Sequence, residues 1–307
     1  MSGLVVERAT PLCQLQDAGR FGVRHLGVTQ GGALDWVAMG WANWLLGNPL
    51  GAPVVEVALG GLRLVCQRDA CLALAGADLQ ARLDDQPLAP WRHFAVRRGQ
   101  VLDFIGPRLG ARTYLAAPGG FLAPAVLGSC ATVVREGLGG LAGGGRPLQA
   151  GDTLDWRGAA PVAREMPAAL RPDLAAPARL DLVVGAQIGG FDSRSLFDAF
   201  NADWTLDTRG DRMGVRLQGP VLDYRGEGLV SEGIPPGAVQ VPPDGQPFVL
   251  LNDRQTIGGY PRLGALTLLA QARLAQCVPG ERLRLRARDA DSAQREHRRY
   301  LERWRQV

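Results

Sequence analysis

Residues Val230 to Leu266 read VSEGIPPGAVQVPPDGQPFVLLNDRQTIGGYPRLGAL. Turn chemistry and strand chemistry alternate through this stretch. Pro235-Pro236-Gly237 and Pro242-Pro243-Asp244-Gly245 are turns, Ala238 to Val241 is a short extended run, and Phe248 to Leu251 is an apolar strand. Gly258-Gly259 then breaks the chain before Tyr260-Pro261. So many fixed turns exceed what a plain hairpin needs. Ser231, Glu232, Gln240, Asp244, Asn252, Asp253, Arg254, Gln255, Thr256 and Tyr260 lie between them. Two readings stand: tight β-turns carrying solvated polar residues, or binding groups displayed on a strand scaffold.

Composition points the same way. The chain has 307 residues, 46% apolar, enough for two ordinary domains or one large one. Its 41 glycines and 21 prolines follow no period, which suits a turn-rich β protein rather than collagen or disorder. No apolar run is long enough to span a membrane. The opening MSGLVVERATPL lacks the basic and apolar regions of a signal peptide. Five cysteines (Cys13, Cys66, Cys71, Cys130, Cys277) are scattered without a CxxC. They read as reduced thiols of a cytoplasmic protein.

The net charge is +4, and the segment from Glu281 onward, with nine arginines and five acids, carries all of it. A neutral body with one basic terminal helix is a poor nucleic-acid footprint, and neither nucleic acid nor membrane is expected as a partner. The sequence contains no lysine. That excludes a GxxxxGK phosphate loop, Schiff-base chemistry and a biotinyl-lysine within these residues.

Along the chain, Val5 to Gln16 reads as a strand interrupted by Pro11, and Ala33 to Leu46 as a helix stopped by Gly47-Asn48-Pro49. That helix is apolar nearly all round, as a buried helix is. Short strands follow at Val54–Ala58, Leu62–Cys66, Cys71–Ala75, Ala81–Leu83, Phe94–Val96, Val101–Ile105 and Ala111–Ala117. Gly99, Gly151 and Gly280 each enter an alternating strand. The six glycines from Gly137 to Gly145 lack a strand–GxGxxG–helix context, so a Rossmann site is rejected. Residues 159–178, rich in alanine and proline, form the linker between a β-domain at 1–158, with its helix at 33–46, and a second at 179–288. The second domain is expected to hold a strand at Arg179–Val184, a helix at Ser193–Phe200 capped by Asp192 or Ser193, and strands at Ala265–Ala270 and Arg282–Arg286. Residues 289–307 close the chain as a helix with Ala293, His297, Tyr300, Leu301 and Trp304 as its buried stripe. The fold class is mainly β with a few short helices.

The three histidines (His25, His93, His297) are far apart and match no zinc spacing, and no GxSxG elbow exists. Asp17, Arg20 and His25 cluster around one turn, as a structural clamp or as site groups. Asp78 and Glu136 each stand beside a glycine-containing turn with the same two readings. In the second half Arg209, Arg212, Arg216 and Arg254 could clamp an anion. Gly258 and Gly259 could present backbone N–H groups, and Glu232, Gln240, Gln255 and Tyr260 could orient a substrate. Arg212, Gln255 and Tyr260 are the favoured catalytic candidates. Asp17, Arg20, His25, Asp78, Glu136, Glu232, Gln240, Gly258 and Gly259 are the substrate-binding candidates.

The stretch SEGIPPGAVQVPPDGQPFVLLNDRQTIGGYP resembles the hallmark of the biotin-dependent carboxyltransferase family related to allophanate hydrolase subunit 2. That family includes the C-type subunit of 5-oxoprolinase and the Kip-type antagonist. Gln16-Asp17-Ala18-Gly19-Arg20, His25-Leu26-Gly27-Val28, Gly32-Ala33-Leu34-Asp35, Glu56 to Gly61, Ala75 to Leu79, Arg135 to Gly140 and Asp211 to Leu217 resemble its other motifs in the same order. Thr29-Gln30-Gly31-Gly32 departs from the usual Pro-Pro-Ser-Gly, and Val215 replaces a common tyrosine. The resemblance implies two cyclophilin-like β-barrel domains. It also implies a cytoplasmic C-type subunit of a heteromeric 5-oxoprolinase, using ATP with magnesium in the assembled complex to phosphorylate 5-oxoproline. A B-like (allophanate hydrolase subunit 1-like) and an A-like subunit are the implied partners, with a small lactam or amide as substrate. Two alternatives accompany it: a carboxyltransferase subunit of a biotin-dependent urea or amide carboxylase, and a non-catalytic regulator of a kinase-inhibitor-like partner.

Overall fold

Gly99, Gly151 and Gly280 take φ of 87°, 90° and 85°, a region open to glycine at little cost, and each turns the chain into a strand. The computed structural model describes residues 3–158, 164–226 and 228–306. Residues 159–163 of the expected linker lie outside the described residues, and a 3-10 turn occupies Ala168–Leu170. The chain divides into two compact units. The first comprises Met1–Gly22 and Gly31–Ala175, and the second Val23–Gln30 and Ala176–Val307.

The first unit contains β1 (Leu4–Arg8), β2 (Cys13–Gln16), α1 (Trp36–Trp44), β3 (Val54–Ala58), β4 (Leu62–Cys66), β5 (Ala70–Asp78), β6 (Ala81–Leu83), β7 (Gln86–Pro87), β8 (Arg92–Val96), β9 (Val101–Phe104), β10 (Leu109–Ala116) and β11 (Thr153–Leu154). One sheet runs β11-β1-β4-β9-β6-β7 and the other β2-β3-β10-β5-β8. Leu4, Leu62, Leu64, Leu102 and Phe104 of the first share one buried cluster with Leu15, Val55, Val57, Leu74 and Leu115 of the second. The two sheets thus enclose one core, and hydrogen bonding between strands lapses at the two-residue edge strands β7 and β11. Helix α1 packs on β5 and β10. It is shorter than expected because Asp35 leaves helical geometry to cap it, its Oδ1 accepting from Ala38 N at 2.9 Å. Trp41 and Trp44 are buried edge to face with ring centroids 5.2 Å apart.

The second unit holds β12 (Ala178–Val184), α2 (Ser193–Asn201), β13 (Trp204–Leu206), β14 (Gly214–Gln218), β15 (Glu232–Gly233), β16 (Ala238–Gln240), β17 (Phe248–Leu250), β18 (Ile257–Gly258), β19 (Arg262–Leu266), α3 (Leu268–Leu274), β20 (Arg282–Arg288) and α4 (Ala290–Gln306). Seven strands close a barrel in the order β12-β19-β16-β17-β14-β13-β20, shut by the parallel pairing of β12 with β20. Leu180, Leu182, Leu217, Val239, Val249, Leu263 and Leu285 are buried. Asp192 caps α2 by accepting from Ser195 N at 2.7 Å.

The strand expected at Ala265–Ala270 is a correction. Thr267 accepts from Ala270 N at 3.2 Å and starts α3 there, so strand geometry ends at Leu266. In α4, Tyr300 and Trp304 are buried with rings 5.4 Å apart, Ala293 and His297 are half-buried, and Leu301 faces solvent instead of joining the stripe.

Candidate functional site

The hallmark stretch supplies barrel strands β16, β17 and β19, and its β15–β18 ribbon forms a separate two-stranded strap. At Pro235-Pro236-Gly237 the glycine takes φ of 71°, and Ala238 N closes the turn on Pro235 O at 3.3 Å. Strand β15 pairs antiparallel with β18, placing Glu232 opposite Gly258 and Gly233 opposite Ile257. Arg262 clasps this ribbon, donating to Glu232 Oε1 at 2.5 Å and to Gly233 O at 3.3 Å, while Gln187 Nε2 donates to Glu232 at 2.5 Å. Glu232 is therefore engaged at the surface as the clasp's acidic half.

Gly258 lets three side chains crowd its α-carbon, and its φ is not positive. A β-carbon there would stand 2.7 Å from Ile234 Cδ1, 3.2 Å from Gln240 Nε2 and 3.6 Å from Gln255 Nε2. Two amide side chains thus flank one glycine. Gln240 is 3% exposed, and its Nε2 has no hydrogen-bond partner among the described residues. A buried amide in that condition costs about 1–3 kcal/mol, which a carbonyl or other acceptor would recover. A β-carbon at Gly259 would meet Leu229 O at 3.2 Å and Ser231 Oγ at 3.4 Å. Tyr260 is 51% exposed.

Beneath the strap lie two arginines. Arg254 is 1% exposed and donates to Ile234 O and Leu251 O, each at 3.2 Å. Arg24, on the 3-10 turn Arg24–Leu26, donates to Ile234 O at 3.1 Å, Gln255 O at 3.2 Å and Thr256 O at 3.3 Å. Thr29 adds a bond to Arg254 O at 3.5 Å. Burial, and then the neighbouring Arg24 charge, push the Arg254 guanidinium down to about 9. The other arginines considered from sequence have carboxylate partners. Arg209 pairs with Asp207 at 2.9 Å, Arg216 with Asp244, and Arg212 with Asp253 through Nε at 3.2 Å and Nη2 at 3.3 Å. Of the four, Arg254 has no such partner among the described residues. A buried cation facing only carbonyl dipoles carries a desolvation penalty of several kcal/mol, on the order of what an anionic ligand offsets.

The remaining candidates separate from this group. Asp17 accepts from Gly19 N at 2.8 Å, Ser129 Oγ at 2.6 Å and Cys130 N at 2.8 Å. Arg20, fully buried, donates to Val126 O at 3.0 Å, Ser129 O at 3.3 Å and Ala131 O at 2.7 Å. Together they clamp the 126–131 loop of the first unit. Asp78, at the end of β5, pairs with Arg108 and caps its own turn by accepting from Gln80 N at 2.9 Å. Glu136 ends the 3-10 turn Val134–Glu136, half-buried. These four belong to the first unit, whereas His25 is exposed in the second. Sequence reasoning missed Arg24; its one signal was its place directly before His25 in a quoted motif. Burial raises the Cys66 thiol to about 11, leaving it a poor nucleophile.

Residues 26–287 match the family model described as carboxyltransferase domain, subdomain A and B. The chain belongs to the carboxyltransferase domain family. It is 36% identical to the C-type subunit of 5-oxoprolinase from Haemophilus influenzae, over 99% of this chain and 96% of that protein. Against the C-type subunit of 5-oxoprolinase from Escherichia coli it is 37% identical over 97% and 96%. The crystal structure of the K. lactis urea amidolyase superposes with a TM-score of 0.91 at 24% identity, covering 99% of this chain and 20% of that one, a likeness of fold. The hallmark stretch lies inside the span that the carboxyltransferase family model covers, and Arg24 lies just before it.

Proposed function

We propose that this chain is the C-type subunit of a heteromeric, ATP-dependent 5-oxoprolinase, acting with a B-like subunit to phosphorylate 5-oxoproline and with an A-like subunit to complete ring opening to glutamate. The observation that carries this reading is the nearly end-to-end alignment with two proteins named as the C-type subunit of 5-oxoprolinase. The strap supports it chemically. 5-Oxoproline bears a carboxylate and a lactam carbonyl. The uncompensated Arg254, with Arg24 beside it, suits the carboxylate, and the unpaired Gln240 Nε2 suits the carbonyl. Gln255 completes the amide pair around Gly258.

ATP with magnesium enters only in the assembled complex. Among the described residues no trio of His, Cys, Asp or Glu is grouped as metal ligands, and the sequence has no lysine for a phosphate. Part of the nucleotide site comes from another subunit or uses arginine and backbone groups of this chain, and the isolated chain is expected to be silent. The test is co-expression with the B-like and A-like subunits, followed by measurement of ATP hydrolysis and glutamate formation. Hydrolysis that depends on 5-oxoproline and on all three chains is expected. A complex that assembles but hydrolyses ATP no faster with 5-oxoproline than without it would sink the reading.

A further inference from the structure

Helix α4 displays a linear cationic stripe. Arg295, Arg299 and Arg303 recur at four-residue steps on one face, all exposed. With Arg288, Ser292 and Tyr300 they line a groove of about 600 Å³. The acids nearby do not cancel the stripe. Glu296 and Asp181 are both taken by Arg288, at 3.4 Å and 2.7 Å. Arg295 donates to Ser292 Oγ at 2.8 Å, and Arg303 lies over the Tyr300 ring at 5.1 Å. Asp289 lies within electrostatic reach of Arg295, but no salt bridge joins Arg295, Arg299 or Arg303 to a carboxylate among the described residues.

A second, apolar cleft of about 340 Å³ adjoins this groove. It is lined by Pro235, Pro236, Leu266, Leu268 and Ala293, and it shares Leu269 and Glu296 with the first. Leu268 is 41% exposed there. The cleft therefore abuts the proline turn that leads into Gln240.

We propose that the arginine stripe of α4 and the apolar cleft beside it form one docking face for another subunit of the same enzyme, taking an acidic segment of that subunit with an aliphatic side chain as anchor. The proposal rests on the heteromeric reading given above. Charge complementarity selects an acidic occupant. Three arginines spread over roughly 12 Å of helix, at about 1.5 Å per residue, are too extended for one phosphate and match a run of carboxylates. A desolvated apolar pocket can seat an anchoring side chain. Docking here would set partner groups beside the strap.

The experiment uses full-length chains. The wild type, R295Q/R299Q/R303Q, R295Q/R299Q (which keeps the Arg303–Tyr300 contact) and L268S are each titrated with the purified B-like and A-like subunits at about 50 and about 300 mM salt. Both arginine variants should bind one subunit at least about tenfold more weakly at low salt, with a flattened salt dependence. L268S should weaken binding while keeping the salt dependence. Isolated variants should melt as the wild type does. Unchanged affinity and salt dependence in the arginine variants overturns the proposal, as does a wild-type chain that captures neither subunit. If inorganic phosphate alone stabilises the wild type but not the variants while subunit binding is unaltered, the stripe is a small-anion site and the proposal also fails. A complex that assembles through α4 yet shows no 5-oxoproline-dependent hydrolysis refutes the functional reading and leaves the docking face standing.

Discussion

Arg24 and Arg254, far apart in the chain, donate to a single acceptor, the carbonyl oxygen of Ile234, at 3.1 Å and 3.2 Å. Two like charges sharing one oxygen repel each other, and a bound anion would offset that repulsion. Arg254 thus anchors the strap while its own charge stays unbalanced among the described residues. An arginine held only by backbone carbonyls both fixes a loop and leaves a field for a ligand.

Gln240 gives the sharpest separation of stability from function. Replacing it with methionine removes a buried amide that lacks a partner at Nε2. Gln240→Met should leave the fold unchanged or more stable by about 1 kcal/mol. Activity of the assembled complex should nevertheless fall at least about tenfold, equivalent to about 1.4 kcal/mol in the barrier. Denaturant unfolding and steady-state assay of the same preparation check both halves; full activity in a stabilised variant would remove Gln240 from the site.

Arg212 and Asp253 form a two-point ion pair with side chains 13% and 11% exposed. The structure makes the pair a brace between two loops, since Asp253 N also donates to Arg212 O at 2.9 Å. Arg212→Ala and Asp253→Ala should each cost about 3 kcal/mol, and the double variant little more than either alone. If Arg212→Ala instead loses activity with stability intact, the residue contacts substrate and its pairing is incidental.

Trp304 docks α4 on the second unit. Trp304→Ala should destabilise by about 3 kcal/mol, and deletion after Asp291 by at least as much. Differential scanning calorimetry reads this directly, and an unchanged transition would mean that the helix packs without stabilising.

His297 provides a pH signature. Burial holds its imidazolium below the ordinary value of 6.5. The folded protein therefore binds fewer protons than the unfolded chain once the pH drops under that value. Its contribution to stability is absent above pH about 6.5 and becomes progressively unfavourable below it. Urea unfolding at pH about 7.5 and about 5 should show the wild type losing more stability than His297→Gln. Equal losses would show that α4 is insensitive to this histidine.

Local chemistry was legible where residues act on their neighbours. The strands Val54–Ala58, Leu62–Cys66 and Ala81–Leu83 end where glycine, proline and aspartate interrupt alternation, and Asp192 caps α2 from its own first turn. The hidden features depend on partners remote in sequence. Asp253 pairs with Arg212 across two loops, and nothing in the local pattern around either residue announces the other. Thr267 diverts an apolar run from strand to helix because a cap outweighs β-pattern over so few residues. Arg24 was invisible because the acceptors that tie it to the strap are backbone carbonyls, which every sequence supplies. Barrel closure was equally hidden, since it rests on the parallel pairing of β12 with β20 at opposite ends of the second unit's chain.

The segment Val23–Gln30 is bounded on both sides by residues of the first unit yet belongs to the second. The polypeptide therefore cannot be dissected into two self-sufficient halves at the alanine–proline linker. A fragment beginning there would carry the whole barrel and the hallmark stretch but neither Arg24 nor Thr29. The carbonyls of Ile234, Gln255 and Thr256 would lose the guanidinium that gathers them. Inheritance of this strap is thus tied to residues encoded more than a domain upstream, and recombination at the linker would separate the two.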